Sequence, residues 1–116
     1  MGRLTTHVLD TARGCPASGV VLQLYRLESG RELIAETSTN DDGRLDSPIL
    51  EGDSFAAGVY ELVFLAGAYF AAHIPGLPDP PFVDQVVIRF GIADPDQHYH
   101  VPLLVSPWSY STYRGS

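Results

Sequence analysis

Short segments in which inward-facing and outward-facing residues alternate are the feature that most limits what this chain can fold into. The alternation is clearest at residues 20–25, 59–64 and 86–91, and a period of two residues is typical of β-strands. Four further segments are candidate strands, namely residues 4–9, 33–38, 43–46 and 98–106. Turn signals rich in Gly, Pro, Asp and Asn separate these segments. Seven or eight short strands divided in this way predict an all-β sandwich.

Two local features modify the strand pattern. Residues 67–73 are rich in Ala and run into Pro75, so we expect a helix of one or two turns that ends before the proline. Pro102 lies inside the last candidate strand and has no N–H to donate. An edge or bulged position is therefore expected for that strand.

Length and charge limit the number of domains and the class of function. A chain of 116 residues is typical of one domain, and we expect residues 1–116 to form it. All seven basic residues are Arg, which excludes Schiff-base chemistry and the lysine-dependent phosphate-binding loop. Fourteen acidic residues give a net charge of −7, which argues against nucleic acid as a partner.

The sequence contains no recognisable signal for export or membrane insertion. The N-terminal residues lack an apolar signal region, and no run approaches the ~18 apolar residues of a membrane helix. Cys15 is the one cysteine, so no disulfide can form within the chain. We therefore expect a cytoplasmic protein without a membrane partner.

Histidines are the first candidates for chemistry. His98 and His100 are two residues apart on a candidate strand, so both side chains are expected on the same face. His7, on another candidate strand, is available as a third group. Spacing alone leaves three interpretations open: a solvated polar face, a metal site, or a pair that transfers protons.

A tight turn is predicted by the sequence TNDDGR at residues 39–44, because Gly after Asp readily adopts a positive φ. Arg44 follows this turn, where its guanidinium either faces water or reaches into a cleft as a bidentate donor. Cys15 has no neighbouring base that would make its thiol a nucleophile. Three aromatic residues near the C-terminus, Trp108, Tyr110 and Tyr113, are more typical of packing or of an interface than of a substrate platform.

Three parts of the chain together resemble the transthyretin-like family. They are LTTHVLDTARGCPA at 4–17, TNDDGR at 39–44, and a C-terminal part with HYHVPLL at 98–104 and SYSTYRGS at 109–116. The final Tyr-Arg-Gly-Ser resembles the enzyme branch of the family, the 5-hydroxyisourate hydrolases. The hormone-carrier branch lacks this ending.

The resemblance implies a fold, an activity and an assembly. The fold is a transthyretin-like β-sandwich of seven to eight antiparallel strands with one short helix. The implied activity is hydrolysis of 5-hydroxyisourate, the product of urate oxidation, to 2-oxo-4-hydroxy-4-carboxy-5-ureidoimidazoline. Family members form homotetramers from a pair of dimers, with sites that open into a central channel. Neither a cofactor nor a metal is expected.

The resemblance also assigns residues to the site. His7, Arg44, His100 and Ser116 match catalytic positions, and Tyr113 joins His7 and Arg44 as a substrate-binding residue. The residue types fit this chemistry, because a neutral imidazole can deprotonate water and an arginine can stabilise an oxyanion. Which of the two histidines is the base stays open. His98 has the same predicted facing as His100 but is interpreted as structural.

Other functions remain as alternatives. A carrier of small aromatic ligands on the same fold would use the same channel without catalysis. A zinc hydrolase would use His7, His98 and His100 as ligands, and a structural or adhesive β-sandwich would be inert. The combination of the two matched histidines, Arg44 and the Tyr-Arg-Gly-Ser ending favours the hydrolase.

Overall fold

The computed structural model describes residues 1–115 and confirms the all-β sandwich. Within this part of the chain, nine strands and one α-helix form. In chain order they are β1 (Arg3–Asp10), β2 (Cys15–Pro16), β3 (Val21–Leu27), β4 (Arg31–Ser38), β5 (Leu50–Glu51), β6 (Gly58–Phe64), α1 (Ala66–His73), β7 (Val86–Ile92), β8 (Tyr99–Val105) and β9 (Tyr110–Thr112). Sheet A has the order β2-β1-β8-β9, with β5 also on β1, and sheet B has the order β4-β3-β6-β7.

The two strands of only two residues, β2 and β5, lie where the sequence indicates turns. Both pair with the outer edge of β1, β5 near its start at Leu4 and β2 near its end at Leu9. Between them, Arg44 makes a single bridge with His7. The outer edge of β1 is thus covered by three short pieces of chain rather than by one full strand.

The predicted strand at residues 43–46 is wrong. The Asn40 side chain holds this segment in a turn, because its Oδ1 accepts the backbone N–H groups of Asp42 at 2.9 Å and Arg44 at 3.2 Å. The N–H of Asn40 in turn donates to the Arg44 carbonyl at 2.7 Å. Because these groups are bonded within the turn, no regular ladder forms: the Gly43 carbonyl accepts the Val8 N–H, and Arg44 makes an isolated bridge with His7 on β1.

Pairing within residues 1–115 is antiparallel, as expected, except between β1 and β8, which run parallel. Parallel neighbours need a long connection, and here the connection contains the whole of sheet B. The register places Thr5 opposite His100 and His7 opposite Pro102. The first strand and the next-to-last strand therefore present their outward residues side by side.

The edge position expected for Pro102 is also wrong, because β8 lies between β1 and β9. The ladder with β9 stops at Leu103, and contact with the C-terminal segment resumes only at the bridge between His100 and Gly115. Pro102 occupies the gap, where its carbonyl accepts the Thr112 hydroxyl at 2.7 Å. Its missing N–H therefore removes no ladder bond.

Side chains from both sheets fill one core between them. On β1, Leu4 and Val8 point inward and are buried, whereas Thr5 and His7 lie on the outward face. The inward set of sheet B includes Leu22, Leu24, Tyr60 and Leu62. This alternation is what leaves the outward face of sheet A free to carry polar groups.

Helix α1 follows β6 and ends before Pro75, as predicted. Its Tyr69 hydroxyl donates to the buried Asp10 carboxylate at 2.9 Å and so fastens the helix to the end of β1. No helix among residues 1–115 combines the length and apolar character that crossing a bilayer requires.

Candidate active site

A cavity of about 660 Å³ opens on the outward face of sheet A. Four of the residues assigned from the sequence line it, namely His7, Arg44, His100 and Tyr113. The fifth, Ser116, lies outside the described residues. The remaining lining residues are Arg3, Thr5, Thr6, Leu45, Asp46, Ser47, Pro48 and Gly115.

The parallel pairing of β1 with β8 brings two histidines into direct contact. His7 and His100 extend from the same face of the sheet, and their ring centroids are 4.8 Å apart. His7 Nδ1 and His100 Nε2 are separated by 2.7 Å, a hydrogen bond between the two rings. Because Nδ1 of His7 is used in this bond, Nε2 is the ring nitrogen it offers to water or substrate.

Thr5 extends this contact into a chain of three side chains. Its Oγ1 lies 2.8 Å from His100 Nδ1, so both nitrogens of His100 are occupied. In one proton arrangement each imidazole donates toward Thr5, which leaves an unprotonated Nε2 on His7 as a base. Sequence reasoning missed Thr5, although its position two residues before His7 on a strand indicates the same face.

The electrostatic environment favours neutral histidines. Burial lowers the pKa of His7 from 6.5, and the neighbouring His100 and Arg44 lower it further. Burial also lowers the pKa of His100, again with a contribution from Arg44. Both rings are therefore mainly unprotonated near neutral pH and able to accept a proton.

Arg44 reaches the cavity because the turn before it is fixed against β1. The Val8 N–H donates to the Gly43 carbonyl at 2.8 Å. Gly43 has a φ of 72°, and a Cβ built there would lie 2.5 Å from the Val8 carbonyl oxygen, so only glycine fits. Arg44 thus lines the same cavity as the histidine pair while remaining exposed.

The C-terminal segment covers the other side of the cavity. The Gly115 N–H donates to the His100 carbonyl at 2.7 Å. Gly115 packs so closely on the imidazole that an added Cβ would lie 2.7 Å from His100 Cδ2. Tyr113 lines the same cavity while remaining 60% exposed.

His98 does not join His100 in the cavity, and the strand predicted to begin at His98 begins one residue later. The loop before β8 is still turning at Gln97, whose N–H donates to the Asp94 carbonyl, and β8 begins only at Tyr99. His98 is exposed and lies outside the cavity. Among residues 1–115, no group of three or more His, Cys, Asp or Glu side chains is arranged to hold a metal ion.

Two other residues considered from the sequence also lie away from the cavity. Cys15 is half-buried in β2. Trp108 is 57% exposed, and its ring lies tilted against that of Phe82 with the centroids 6.1 Å apart. Neither contacts the histidine pair.

Comparison with known proteins agrees with this geometry. A family model described as HIUase/Transthyretin family matches residues 4–115. The chain is 64% identical to a Pseudomonas aeruginosa protein named 5-hydroxyisourate hydrolase, over 100% of this chain and 93% of that protein.

Two solved structures are also similar. That of (S)-allantoin synthase superimposes with a TM-score of 0.93 and 52% identity over 99% of this chain, which spans only 44% of that longer one. Transthyretin from Sparus aurata superimposes with a TM-score of 0.86 and 30% identity, over 97% of this chain and 96% of that chain. The match over nearly the whole length confirms the resemblance seen in the sequence, and the chain belongs to the HIUase/Transthyretin family.

Proposed function

We propose that this protein is an enzyme that hydrolyses 5-hydroxyisourate to 2-oxo-4-hydroxy-4-carboxy-5-ureidoimidazoline, a step in urate degradation. One observation carries the proposal: His7 and His100 are joined by a 2.7 Å hydrogen bond in a cavity that Arg44 also lines. The name of the Pseudomonas aeruginosa relative supports the choice of substrate.

In the proposed reaction, His7 acts first as the base. Its Nε2 removes a proton from water while the water oxygen attacks a ring carbonyl carbon of the substrate. The positive charge on His7 is shared when its Nδ1 proton moves toward His100 Nε2, 2.7 Å away. Thr5, 2.8 Å from His100 Nδ1, accepts the next hydrogen bond in the chain. The pair therefore stores one proton close to the reacting atoms.

The second half of the reaction returns that proton. The carbon–nitrogen bond of the tetrahedral intermediate breaks, and the leaving ring nitrogen takes the proton from His7 as the ring opens. The carbonyl carbon becomes a carboxylic acid, so one water molecule is consumed and no other reactant is needed. The histidine pair is neutral again at the end, ready for another turnover.

Arg44 and Tyr113 have supporting roles in this proposal. The guanidinium of Arg44 donates to the oxygen that becomes negative during attack. Tyr113 contacts the bound substrate from the C-terminal side. Ser116 is proposed to position water or substrate, and no cofactor or metal takes part in any step.

The proposal extends to the assembly and its location. We treat residues 1–116 as one domain, a cytoplasmic protein that forms a homotetramer of two dimers and interacts with no nucleic acid or membrane. The cavity supports the assembly, because it lies open on a sheet face where a second copy would close it.

The direct test is an absorbance time course of 5-hydroxyisourate freshly made from urate by urate oxidase. The substrate decays unaided, so decay is compared with and without the protein. We expect acceleration at catalytic concentrations, loss of at least about 100-fold in rate for His7→Ala, and little change for His98→Ala, a histidine outside the cavity. Decay at the unaided rate in the presence of the folded protein would contradict the hydrolase.

That negative result would favour a ligand carrier instead. The similarity to transthyretin of Sparus aurata is the observation that keeps this second candidate open. A carrier would bind a small aromatic ligand in the cavity, and His7→Ala would weaken binding without any catalytic phenotype. Equilibrium binding of such a ligand distinguishes the two functions.

A further inference from the structure

Among residues 113–115 of the terminal Tyr-Arg-Gly-Ser sequence, Arg114 is the one that does not line the cavity. Its neighbours Tyr113 and Gly115 both line the cavity, whereas Arg114 does not. Successive residues in an extended segment point to opposite sides. The arginine is therefore directed away from the substrate space, and its role in the sequence has to be explained by other contacts.

The guanidinium of Arg114 makes three contacts with the loop and strand that lead into the site. Its Nη2 donates to Gln97 Oε1 and to the His98 carbonyl, both at 3.1 Å. Its Cζ lies 4.1 Å from the centroid of the Tyr99 ring, a cation–π contact. The planar fork of an arginine satisfies all three contacts at once.

The platform under Arg114 is well fixed. Tyr99 is only 6% exposed, and its hydroxyl accepts the backbone N–H groups of Ala93 at 3.0 Å and Asp94 at 3.2 Å. The ring therefore belongs to the core at one face and supports the guanidinium at its other face.

The C-terminal tail, residues 113–115, contains Arg114 and lies directly on His100. Gly115 donates its N–H to the His100 carbonyl at 2.7 Å, and its Cα packs on the imidazole. Among residues 1–115, this bridge is the one backbone pairing between β8 and the chain beyond Thr112. A single pairing at a chain end frays readily, so a side-chain anchor next to it has a large influence on where the tail sits.

We propose that Arg114 is a positioning residue that clamps the C-terminal tail over His100 and thereby keeps Tyr113 and Gly115 in place to bind substrate. The inference deepens the proposed hydrolase and rests on it. It assigns Arg114 no contact with substrate, so its removal is expected to weaken substrate binding more than it slows the chemical step.

A pH profile gives a second signature. Among residues 1–115, the charged or titratable groups around His100 are His7 from β1 and Arg44 from the turn, with Arg3, Asp46 and Tyr113 also lining the cavity. Burial is the largest cause that lowers the pKa of His100. Release of the tail exposes the ring to water and lets this pKa rise toward 6.5, whereas the other surrounding groups stay unchanged. The acid limb of kcat/KM then moves to higher pH.

The test compares Arg114→Ala and Arg114→Lys with Arg26→Ala. Arg26 is a matched control, because it also donates to a backbone carbonyl, that of Ser54, and lies 5.6 Å from the buried Tyr60 ring, away from the cavity. We expect Arg114→Ala to raise KM by about five- to tenfold, with kcat at pH 8 within about twofold of the parent protein. Lysine can keep one of the contacts, so the KM of Arg114→Lys is expected to lie between that of the parent protein and that of Arg114→Ala.

Hydrogen exchange at the Gly115 amide tests the clamp without any activity. We expect faster exchange in Arg114→Ala than in the parent protein and unchanged exchange in Arg26→Ala. Unchanged KM, pH profile and exchange in Arg114→Ala would overturn the clamp even if the protein hydrolyses 5-hydroxyisourate. Faster exchange in a protein that shows no hydrolysis would instead support the clamp and contradict the proposed function.

Discussion

Two polar clusters lie on the outward faces of the two sheets. In one of them opposite charges are paired, and in the other they are not. On sheet B, the Glu61 carboxylate is bound by Arg31 at 3.1 Å and by Arg89 at 2.9 Å. On sheet A, His7 and His100 bond to each other beside Arg44, and among residues 1–115 no carboxylate lies within ion-pair distance of these three.

The difference separates a structural cluster from a reactive one. The hydrogen bond from Arg89 is the main cause that holds the pKa of Glu61 below its usual value, so this carboxylate stays charged and paired. The histidines are instead held neutral by burial and by a neighbouring cation. A carboxylate already bound by two arginines is not available to a ligand. In the other cluster, a neutral imidazole can accept a proton and the neighbouring arginine can bind a developing anion.

The largest expected effect comes from breaking the reactive cluster. His7→Ala removes the proposed base, so the rate of 5-hydroxyisourate hydrolysis is expected to fall at least about 100-fold. The side chain is only half-buried, so the free energy of unfolding should change by less than about 1 kcal/mol. Enzyme assays and urea denaturation on the same sample measure both. A variant that lost stability and activity in parallel would mean that His7 is mainly structural.

A smaller effect is expected at Thr5. Thr5→Val keeps the shape of the side chain but removes the hydroxyl that lies 2.8 Å from His100 Nδ1. We expect kcat to fall about tenfold, since one hydrogen bond that orients a catalytic ring is lost. Thr5→Ser retains the hydroxyl and should stay within about threefold of the parent protein. Equal kcat values for the two variants would show that the hydroxyl has no part in the histidine chain.

The structural cluster gives the opposite pattern. Glu61→Gln leaves Arg31 and Arg89 without their shared anion, but both arginines reach solvent, so the expected loss is about 1 kcal/mol of unfolding free energy. Hydrolysis should be unchanged. Because the pKa of Glu61 is lowered in the folded state, its contribution is present above pH 4.5 and lost as pH falls through the folded value. Denaturation midpoints at pH 7 and pH 4 check the sign.

The smallest expected effect is the pH dependence that the two histidines give to kcat/KM and to stability. The pKa values of His7 and His100 are lowered from 6.5, so the neutral, active pair persists into mildly acidic solution. The acid limb of kcat/KM is expected below pH 6.5. The same shifts reduce stability as pH falls below 6.5, because the unfolded histidines bind protons more readily than the folded ones. An acid limb at or above pH 6.5 would contradict a buried, neutral pair.

Local patterns were enough to predict most elements of the fold. The alternation in residues 59–64 and 86–91 anticipates β6 and β7, and the Ala-rich segment before Pro75 anticipates α1. The segment 43–46 shows the limit, because the Asn40 side chain competes for the backbone groups that a strand would use. That competition depends on a side-chain rotamer, which alternation does not reveal.

The site was predicted only in part, because some of its contacts join residues that are far apart in the sequence. His7, Arg44, His100 and Tyr113 were named from the family resemblance and lie together. Thr5 was missed because its contact with His100 joins residues separated by 95 positions, and only the parallel register of β1 with β8 creates it. His98 was predicted to lie in the same strand as His100, but β8 begins only at Tyr99, and His98 is exposed outside the cavity.

The parallel pairing of β1 with β8 also has a consequence during synthesis on the ribosome. Thr5 and His7 emerge first, and their partner His100 follows 95 positions after Thr5. At roughly 5–20 residues per second, β1 waits on the order of 10 s for its neighbour. During that interval, and in any chain released before β8 is made, half of the histidine pair is missing, so the contact between the two rings cannot form until His100 has been synthesised.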